Sequence, residues 1–326
     1  MEAVTIIGAG GIGCALGYAL RSAGWSVTFV DTNARKIEWG RTHGVVVDEL
    51  SSLPARFERF AEWSPPEAGI AFLCTKCYDN AAVLSALPQG VTLIPVQNGF
   101  DAQLEAREHA LEGIAAFVSE CPADRPHPRI TRLGKLYFGP RLEARSLAPT
   151  ISKLVDAFRD GRLFGLEVVS RIEPYKYTKL LYNAAISPIA AAAGIDNAKL
   201  LSVPLARRLF FALMQENYSI LSNAGIELGT VGPFSPRTVA GILKRRWLAR
   251  LFAWAFEPSL RGTYCSMAPD LPKGRTEIDY YNQRLIDLAG CTPCPLNRAA
   301  VALIKRMESE RIIPQRGMLD ELARAA

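Results

Sequence analysis

The feature that most constrains this chain is Gly8-Ala9-Gly10-Gly11-Ile12-Gly13, set between an apolar run, Val4-Thr5-Ile6-Ile7, and a helical pattern over Gly11 to Ala23. A strand that is apolar throughout and turns at a glycine straight into a helix opens a βα unit of a parallel sheet. The glycines have separate tasks at such a turn. Gly8 permits the tight reversal, Gly10 lets the backbone approach a bound pyrophosphate, and Gly13 lets the helix pack closely on the strand. Gly11 and Ile12 add free backbone N–H groups at the positive end of the helix dipole. With these flanks, Gly8, Gly10, Gly11, Ile12 and Gly13 predict a dinucleotide-binding loop.

The same alternation continues downstream. Val27–Val30 reads as a second strand, Asn33 to Arg41 as a helix and Val45-Val46-Val47 as a third strand. Ile70–Leu73 and Val91–Val96 follow, with a helical Ala81–Leu87 between them. Apolar strands separated by helices indicate a doubly wound sheet covered on both faces. Arg129 to Gly139 alternates around Leu133-Gly134-Lys135, which predicts an antiparallel hairpin extending the sheet at its far edge. A helix from Leu147 to Arg159 and a strand at Leu166–Val169 come next. Beyond Ile172 helical patterns dominate, at Tyr175–Ala193, Val203–Ala224, Pro236–Phe256, Arg275–Ala289 and Asn297–Glu310. The expected architecture is α/β: a Rossmann-type doubly wound domain over 1–168, then an all-helical C-terminal domain over 169–326.

Composition narrows the function classes. The formal charge of +6 is a mild bias, compatible with anionic ligands such as a dinucleotide or a carboxylate. The densest basic run, Lys244-Arg245-Arg246 with Arg250, sits among apolar residues at helical spacing and reads as an amphipathic helix with a solvated basic edge. A nucleic-acid patch needs a longer stripe, so no nucleic-acid partner is expected. The most apolar stretch, Ala184 to Ile195, is interrupted by Ser187-Pro188 and is too short to span a bilayer. The opening Met1-Glu2-Ala3 lacks a basic leader region. A cytoplasmic protein without membrane partners is expected. Seven cysteines, an odd number, argue against a disulfide framework. Cys74/Cys77 and Cys291/Cys294 have C-x-x-C spacing, but the pairs lie more than two hundred residues apart in apolar sequence. They read as buried small hydrophobes, and no metal is expected.

Three further features carry chemistry. Asp31 follows the second strand directly, where a carboxylate accepts from adenosine ribose hydroxyls and repels a 2′-phosphate, favouring NAD(H). Arg35 and Lys36 stand nearby and keep NADP(H) open. Lys179, Asn183 and Ser187 are spaced i, i+4, i+8 on one stripe of a very apolar helix, either a substrate-binding face or a solvated one. Ser266 and Glu277 flank Arg275-Thr276, and Glu277 falls in the first turn of an expected helix, where a carboxylate also suits the dipole.

Joined to Leu73-Cys74-Thr75-Lys76, Gln97-Asn98-Gly99, Lys179-Leu180-x-x-Asn183, Ser266-Met267-x-x-Asp270-Leu271 and Gly274-Arg275-Thr276-Glu277-Ile278-Asp279-Tyr280-x-Asn282, the glycine loop makes a specific set. Along most of its length the chain resembles the 2-dehydropantoate 2-reductase (ketopantoate reductase) family. That resemblance implies hydride transfer between a nicotinamide cofactor and a 2-keto/2-hydroxy acid, ketopantoate to pantoate in pantothenate biosynthesis. It implies an active site in the cleft between the two domains, with Lys179 as general acid. It implies that Asn183 and Ser266 hold the 2-keto acid, Ser266 near its carboxylate, and that Glu277 accepts a substrate hydroxyl. Lys76 and Asn98 would lie beside the nicotinamide and its ribose. The chain departs from the family pattern in three places. Ser187 stands where a second asparagine is common, Asp31 where arginine is common, and the loop between Asp270 and Glu277 is one residue shorter. These departures raise an alternative, a relative using NAD(H) on a different keto or hydroxy substrate. An alternative from another class is a non-catalytic dinucleotide-binding redox sensor, which would need neither Lys179 nor Glu277. A homodimer is left open.

Overall fold

The structure, a computed structural model, describes residues 2–142 and 149–325. The chain divides into two compact units, Met1–Gln97 with Asp101–Glu173, and Asn98–Phe100 with Pro174–Ala326.

The first unit begins with β1 (Ala3–Ile7), α1 (Gly11–Ser22), β2 (Ser26–Asp31), α2 (Ala34–His43), β3 (Arg56–Arg59), β4 (Gly69–Leu73), α3 (Asn80–Ala86) and β5 (Val91–Pro95). These strands form a five-stranded parallel sheet in the order β3-β2-β1-β4-β5. Ile6, Ile7, Phe29, Val30, Phe72 and Leu73 are buried on both faces, as the unbroken apolar runs require. From β1 the chain moves outward through β2 and β3, then returns to the other side of β1 at β4. The carboxyl end of β1 is therefore the switch point, where open α/β sheets bind their ligands.

The third strand differs from expectation. Val45 and Val47 are buried, but the segment makes only one antiparallel bridge, Val45 to Leu53. The third strand is β3, an edge strand whose one large apolar residue, Phe57, stacks on Phe29 with ring centroids 4.9 Å apart. Arg-Phe-Glu-Arg carries the charge expected of an exposed edge, so hydrophobicity hides it.

The first unit continues with α4 (Ala102–Ala106), β6 (Leu111–Ala115), β7 (Val118–Glu120), β8 (Arg129–Arg132), β9 (Lys135–Pro140), α5 (Pro149–Asp160) and β10 (Gly165–Val168). The expected helix start at Leu147 lies outside the described residues. The expected hairpin does not form. β8 pairs with β7, whereas β9 pairs antiparallel with β6 and parallel with β10 in a separate three-stranded sheet. Gly134 lies against backbone, where a Cβ would come 2.6 Å from the Ala116 oxygen. The glycine marks a crossing between sheets, not a reversal.

The second unit is helical: α6 (Glu173–Ala193), α7 (Lys199–Ser202), α8 (Pro204–Asn223), α9 (Pro236–Leu243), α10 (Arg246–Phe256), α11 (Arg284–Leu288), α12 (Pro295–Glu310) and α13 (Leu319–Ala323). Its core is built around α6, which is buried nearly all round from Leu180 to Ala193. Pro236–Phe256 is two helices, not one, broken at Lys244-Arg245. On α10 the small Ala249 and Ala253 face inward, and Trp247, Leu251 and Trp254 are exposed beside the arginines. The outer edge is thus apolar as well as basic, because Trp247, Leu251 and Trp254 fall on the same outward side as Arg246 and Arg250. Arg275–Ala289 is also not a simple helix. A π-helical turn, Asp279–Gln283, precedes α11, and the Tyr280 carbonyl accepts from Phe100 N–H at 3.1 Å. Glu277 lies before the turn and not in the first turn of an α-helix. Among the described residues no helix is long and apolar enough to cross a membrane.

Candidate functional site

The glycine loop is closed on its protein side and open on the other. Gly8 adopts φ +98°, a region that strains any residue with a Cβ, and its N–H donates to the Val30 carbonyl at 2.8 Å. A Cβ on Gly13 would collide with the Gly8 carbonyl. Gly10 caps α1, and a Cβ built on it meets nothing within 4 Å. The N–H groups of the first turn of α1, Gly11 and Ile12 among them, stand at the positive end of the helix dipole, which suits an anion.

Ala9 is held at both ends of its own residue. Its N–H donates to Asp31 Oδ2 at 2.9 Å, and its carbonyl accepts from Lys36 Nζ at 2.9 Å. The second oxygen of Asp31 accepts from Asn33 N–H at 2.9 Å, and Lys36 stands 3.9 Å from Asp31 Oδ2. Asp31 thus fixes the loop as well as ending β2. Lys36 is buried and committed to the Ala9 carbonyl, while Arg35 is exposed.

Lys76 precedes the 3-10 turn Cys77–Asp79 after β4. Gln97 and Asn80, both buried, brace this segment. Gln97 Nε2 donates to the Thr75 carbonyl and to Asn80 Oδ1, each at 2.8 Å, and Asn80 Nδ2 donates to Asp101 Oδ2 at 2.7 Å. The bracing role of Asn80 and Asp101 is not legible in the sequence, where an amide in a helical run is unremarked. Asn98 is half-buried and belongs to the second unit.

On α6, Lys179 and Asn183 are half-buried and Ser187 is 2% exposed, so the polar stripe is not a solvated face along its length. Lys176 is buried, with its ammonium 4.7 Å from the Phe100 ring centroid; that ring also stacks on Tyr177 at 4.4 Å. Burial pushes the Tyr182 hydroxyl on the same helix up to about 12.

Ser266 and Glu277 come together through a residue that sequence reasoning missed. Tyr281, fully buried, donates its hydroxyl to Glu277 Oε2 at 3.0 Å, and Ser266 Oγ lies 3.4 Å from the same hydroxyl. Glu277 is itself 3% exposed. The i, i+4 spacing of Glu277 and Tyr281 was the available signal, masked because Tyr280-Tyr281 reads as packing.

All seven cysteines are free thiols, and burial pushes the Cys74 thiol well up, so it stays protonated. Among the described residues no group of three or more histidine, cysteine or acidic side chains is placed to hold a metal ion.

A glycine loop at the switch point of a doubly wound sheet, continued by an all-helical unit, is an architecture of nicotinamide-dependent oxidoreductases acting on keto and hydroxy acids, and this chain is of that class. It belongs to the ketopantoate reductase PanE/ApbA family, whose N-terminal part matches residues 4–141 and whose C-terminal part matches residues 171–308. The 2-dehydropantoate 2-reductase of Pyrobaculum aerophilum is 27% identical over 312 residues, 93% of this chain and 97% of that protein. The 2-dehydropantoate 2-reductase of Archaeoglobus fulgidus is 24% identical over 318 residues, 95% of this chain and 99% of that protein. The fold matches the crystal structure of a PanE/ApbA family ketopantoate reductase from Ralstonia eutropha with a TM-score of 0.74 at 20% identity, covering 95% of this chain and 99% of that one. It matches D-mandelate dehydrogenase in complex with NADH with a TM-score of 0.74 at 18% identity, again over 95% and 99%.

Proposed function

We propose that this chain uses NAD(H) to interconvert a 2-keto acid and its 2-hydroxy acid, with ketopantoate as the leading substrate and Lys179 as the proton donor. The observation that carries the cofactor choice is Asp31, fixed at the end of β2 by the Ala9 N–H. A carboxylate at that place meets the adenosine ribose and repels a 2′-phosphate. NADH is also the cofactor named with D-mandelate dehydrogenase, a structure of the same fold.

Bound reduced nicotinamide supplies a hydride to the carbonyl carbon. The ammonium of Lys179 meets the negative charge that grows on the carbonyl oxygen and then gives up its proton there. Asn183 and Ser266 hold the keto acid, Ser266 at its carboxylate, and Ser187 borders the same stripe of α6. Glu277, kept in place by Tyr281, accepts a remote substrate hydroxyl. Gly10 and the first turn of α1 receive the pyrophosphate, and Lys76 and Asn98 serve the nicotinamide end.

A second reading rests on the Tyr281 hydroxyl, which already satisfies one oxygen of Glu277. On that reading the substrate carries no second hydroxyl. Cofactor oxidation measured with a panel of 2-keto acids, each with NADH and NADPH, tests both; no turnover with any of them overturns the reductase assignment for this site.

A further inference from the structure

Cys14 and Cys121 are distant in sequence yet converge on one atom of the glycine loop. Cys14 Sγ lies 3.3 Å from the Ala9 carbonyl oxygen and Cys121 Sγ 3.8 Å from the same oxygen. The Lys36 ammonium donates to that same carbonyl at 2.9 Å, and Cys121 Sγ also lies 3.4 Å from the Arg125 carbonyl oxygen. Cys14 is fully buried in α1, whereas Cys121, just past β7, is only half-buried. Ser119, two residues before Cys121, donates its hydroxyl to the Gly11 carbonyl at 3.1 Å. The end of β7 is therefore tied to the loop on both sides of Gly10.

The surroundings divide the two thiols. The neighbouring Cys14 thiol draws the Cys121 thiol below its ordinary range, against its own burial and with the Lys36 charge helping. Burial first, and the neighbouring Cys121 second, hold the Cys14 thiol well above that range. A half-buried sulfur whose thiol is held below its ordinary range, beside a fully buried partner thiol, is the arrangement of an oxidisable pair.

We propose that Cys14 and Cys121 form a peroxide-sensitive dithiol that closes to a disulfide and so weakens dinucleotide binding at the glycine loop. The coupling rests on the dinucleotide reading above. The Cys121 thiolate attacks one oxygen of hydrogen peroxide; the O–O bond breaks, an S–O bond forms, and hydroxide leaves and takes up a proton. The Cys14 sulfur then attacks Cys121, an S–S bond forms, the S–O bond breaks, and the thiol proton leaves with the oxygen as water. Two thiols are oxidised by two electrons, and peroxide is reduced to two waters. The closed bond removes the Cys14 S–H from the Ala9 carbonyl and takes the Cys121 sulfur from the Arg125 carbonyl. It also draws the first turns of α1 toward the end of β7, and those turns carry the N–H groups that receive the pyrophosphate.

The test treats the full chain with hydrogen peroxide, maps cross-linked peptides by mass spectrometry, and titrates NADH before and after. The expected result is a Cys14–Cys121 peptide and about a tenfold rise in the NADH dissociation constant, the loss of one to two ordinary hydrogen bonds, reversed by dithiothreitol. Cys121→Ser should bind NADH as the reduced wild type does and lose nothing on oxidation. Cys14→Ala, checked for folding by circular dichroism, should give neither cross-link nor loss. Peroxide treatment without that cross-link, or a cross-link with unchanged NADH affinity, overturns the proposal. A reduced protein that binds neither NADH nor NADPH overturns the dinucleotide reading and this coupling with it. The two failures are separable because the cross-link is read without cofactor.

Discussion

The side-chain amide of Asn282 donates to the carbonyl of Ala184 at 2.8 Å, the carbonyl that Pro188 leaves without a helical partner. Proline has no N–H, so a proline inside α6 orphans the acceptor four residues earlier. Asn282 also donates to Asn297 Oδ1 at 2.9 Å. Asn297 in turn donates to Asn217 Oδ1 at 2.8 Å and to Glu216 Oε1 at 2.7 Å, and Asn217 donates to the Leu181 carbonyl at 3.0 Å. All three asparagines are fully buried. An apolar core thus holds the helix that carries Lys179, Asn183 and Ser187 by a chain of amides drawn from α8, the π-helical turn and α12.

Asn282→Ala should lower stability by about 3 kcal/mol, because two buried acceptors, the Ala184 carbonyl and Asn297 Oδ1, lose their donor. Urea unfolding measures it. Adding Pro188→Ala restores an N–H to α6 that can serve Ala184, so the double variant should regain part of the loss. A loss below about 0.5 kcal/mol, no more than an ordinary surface change, would remove this role from Asn282.

Gly10→Val should keep the fold and lose dinucleotide binding. The valine side chain meets no protein atom at its Cβ, since nothing lies within 4 Å, and instead fills the space in front of α1. Far-ultraviolet circular dichroism with NADH titration separates the two effects. A folded variant with wild-type affinity would mean that the pyrophosphate binds elsewhere.

NADH should bind more tightly than NADPH. Asp31→Asn keeps an oxygen for the Ala9 N–H and removes only the charge, so the preference should narrow by about tenfold, the worth of one charge-assisted contact. Fluorescence titration with both cofactors reads it. Tighter NADPH binding by the wild type would reverse the reading and point to the exposed Arg35, since Lys36 is held by the Ala9 carbonyl.

The first βα unit was fully legible, because an unbroken apolar strand, three spaced glycines and a helix all act within twenty residues of one another. What failed was non-local. The Arg-Phe-Glu-Arg edge strand β3 owes its place to pairing with β2, not to its own pattern. Leu133-Gly134 reads as a turn, yet the backbone of Ala116-Phe117 packed against it sends the chain into another sheet. In the second unit the stripe on α6 was visible at helical spacing, but its support was not. Asn217, Asn282 and Asn297 lie on separate elements, and no local pattern shows that they meet.

Lys179→Ala should lower kcat by roughly 10²–10⁴-fold while leaving NADH affinity nearly unchanged, since a proton donor acts on charge present only in the transition state. Lys176→Ala, three residues earlier, is the control. Its ammonium lies over the Phe100 ring, so the loss should fall on stability more than on kcat. Steady-state kinetics and thermal melting of both variants decide it. The reverse order would exchange the roles of the two lysines.

On the proposed reading, Glu277 sets which keto acid the site prefers. Its carboxylate is buried and one oxygen accepts from Tyr281 at 3.0 Å, but a carboxylate oxygen accepts more than one hydrogen bond, so a substrate hydroxyl can still be received. A 2-keto acid of equal bulk without that hydroxyl leaves a buried charge short of a donor, at a cost of about 1.5–3 kcal/mol, or roughly 10- to 150-fold in kcat/KM. The wild type should therefore prefer ketopantoate over the deoxy analogue by that factor. Glu277→Gln should erase most of the preference with little change in NADH affinity. Tyr281→Phe removes only the internal donor, so it should keep the preference or sharpen it. If the wild type shows no preference and Tyr281→Phe creates one, the Tyr281 hydroxyl has taken the place of the substrate's. The natural substrate would then be a simpler 2-keto acid, with Ser187 in place of the family's second asparagine as the next residue to exchange.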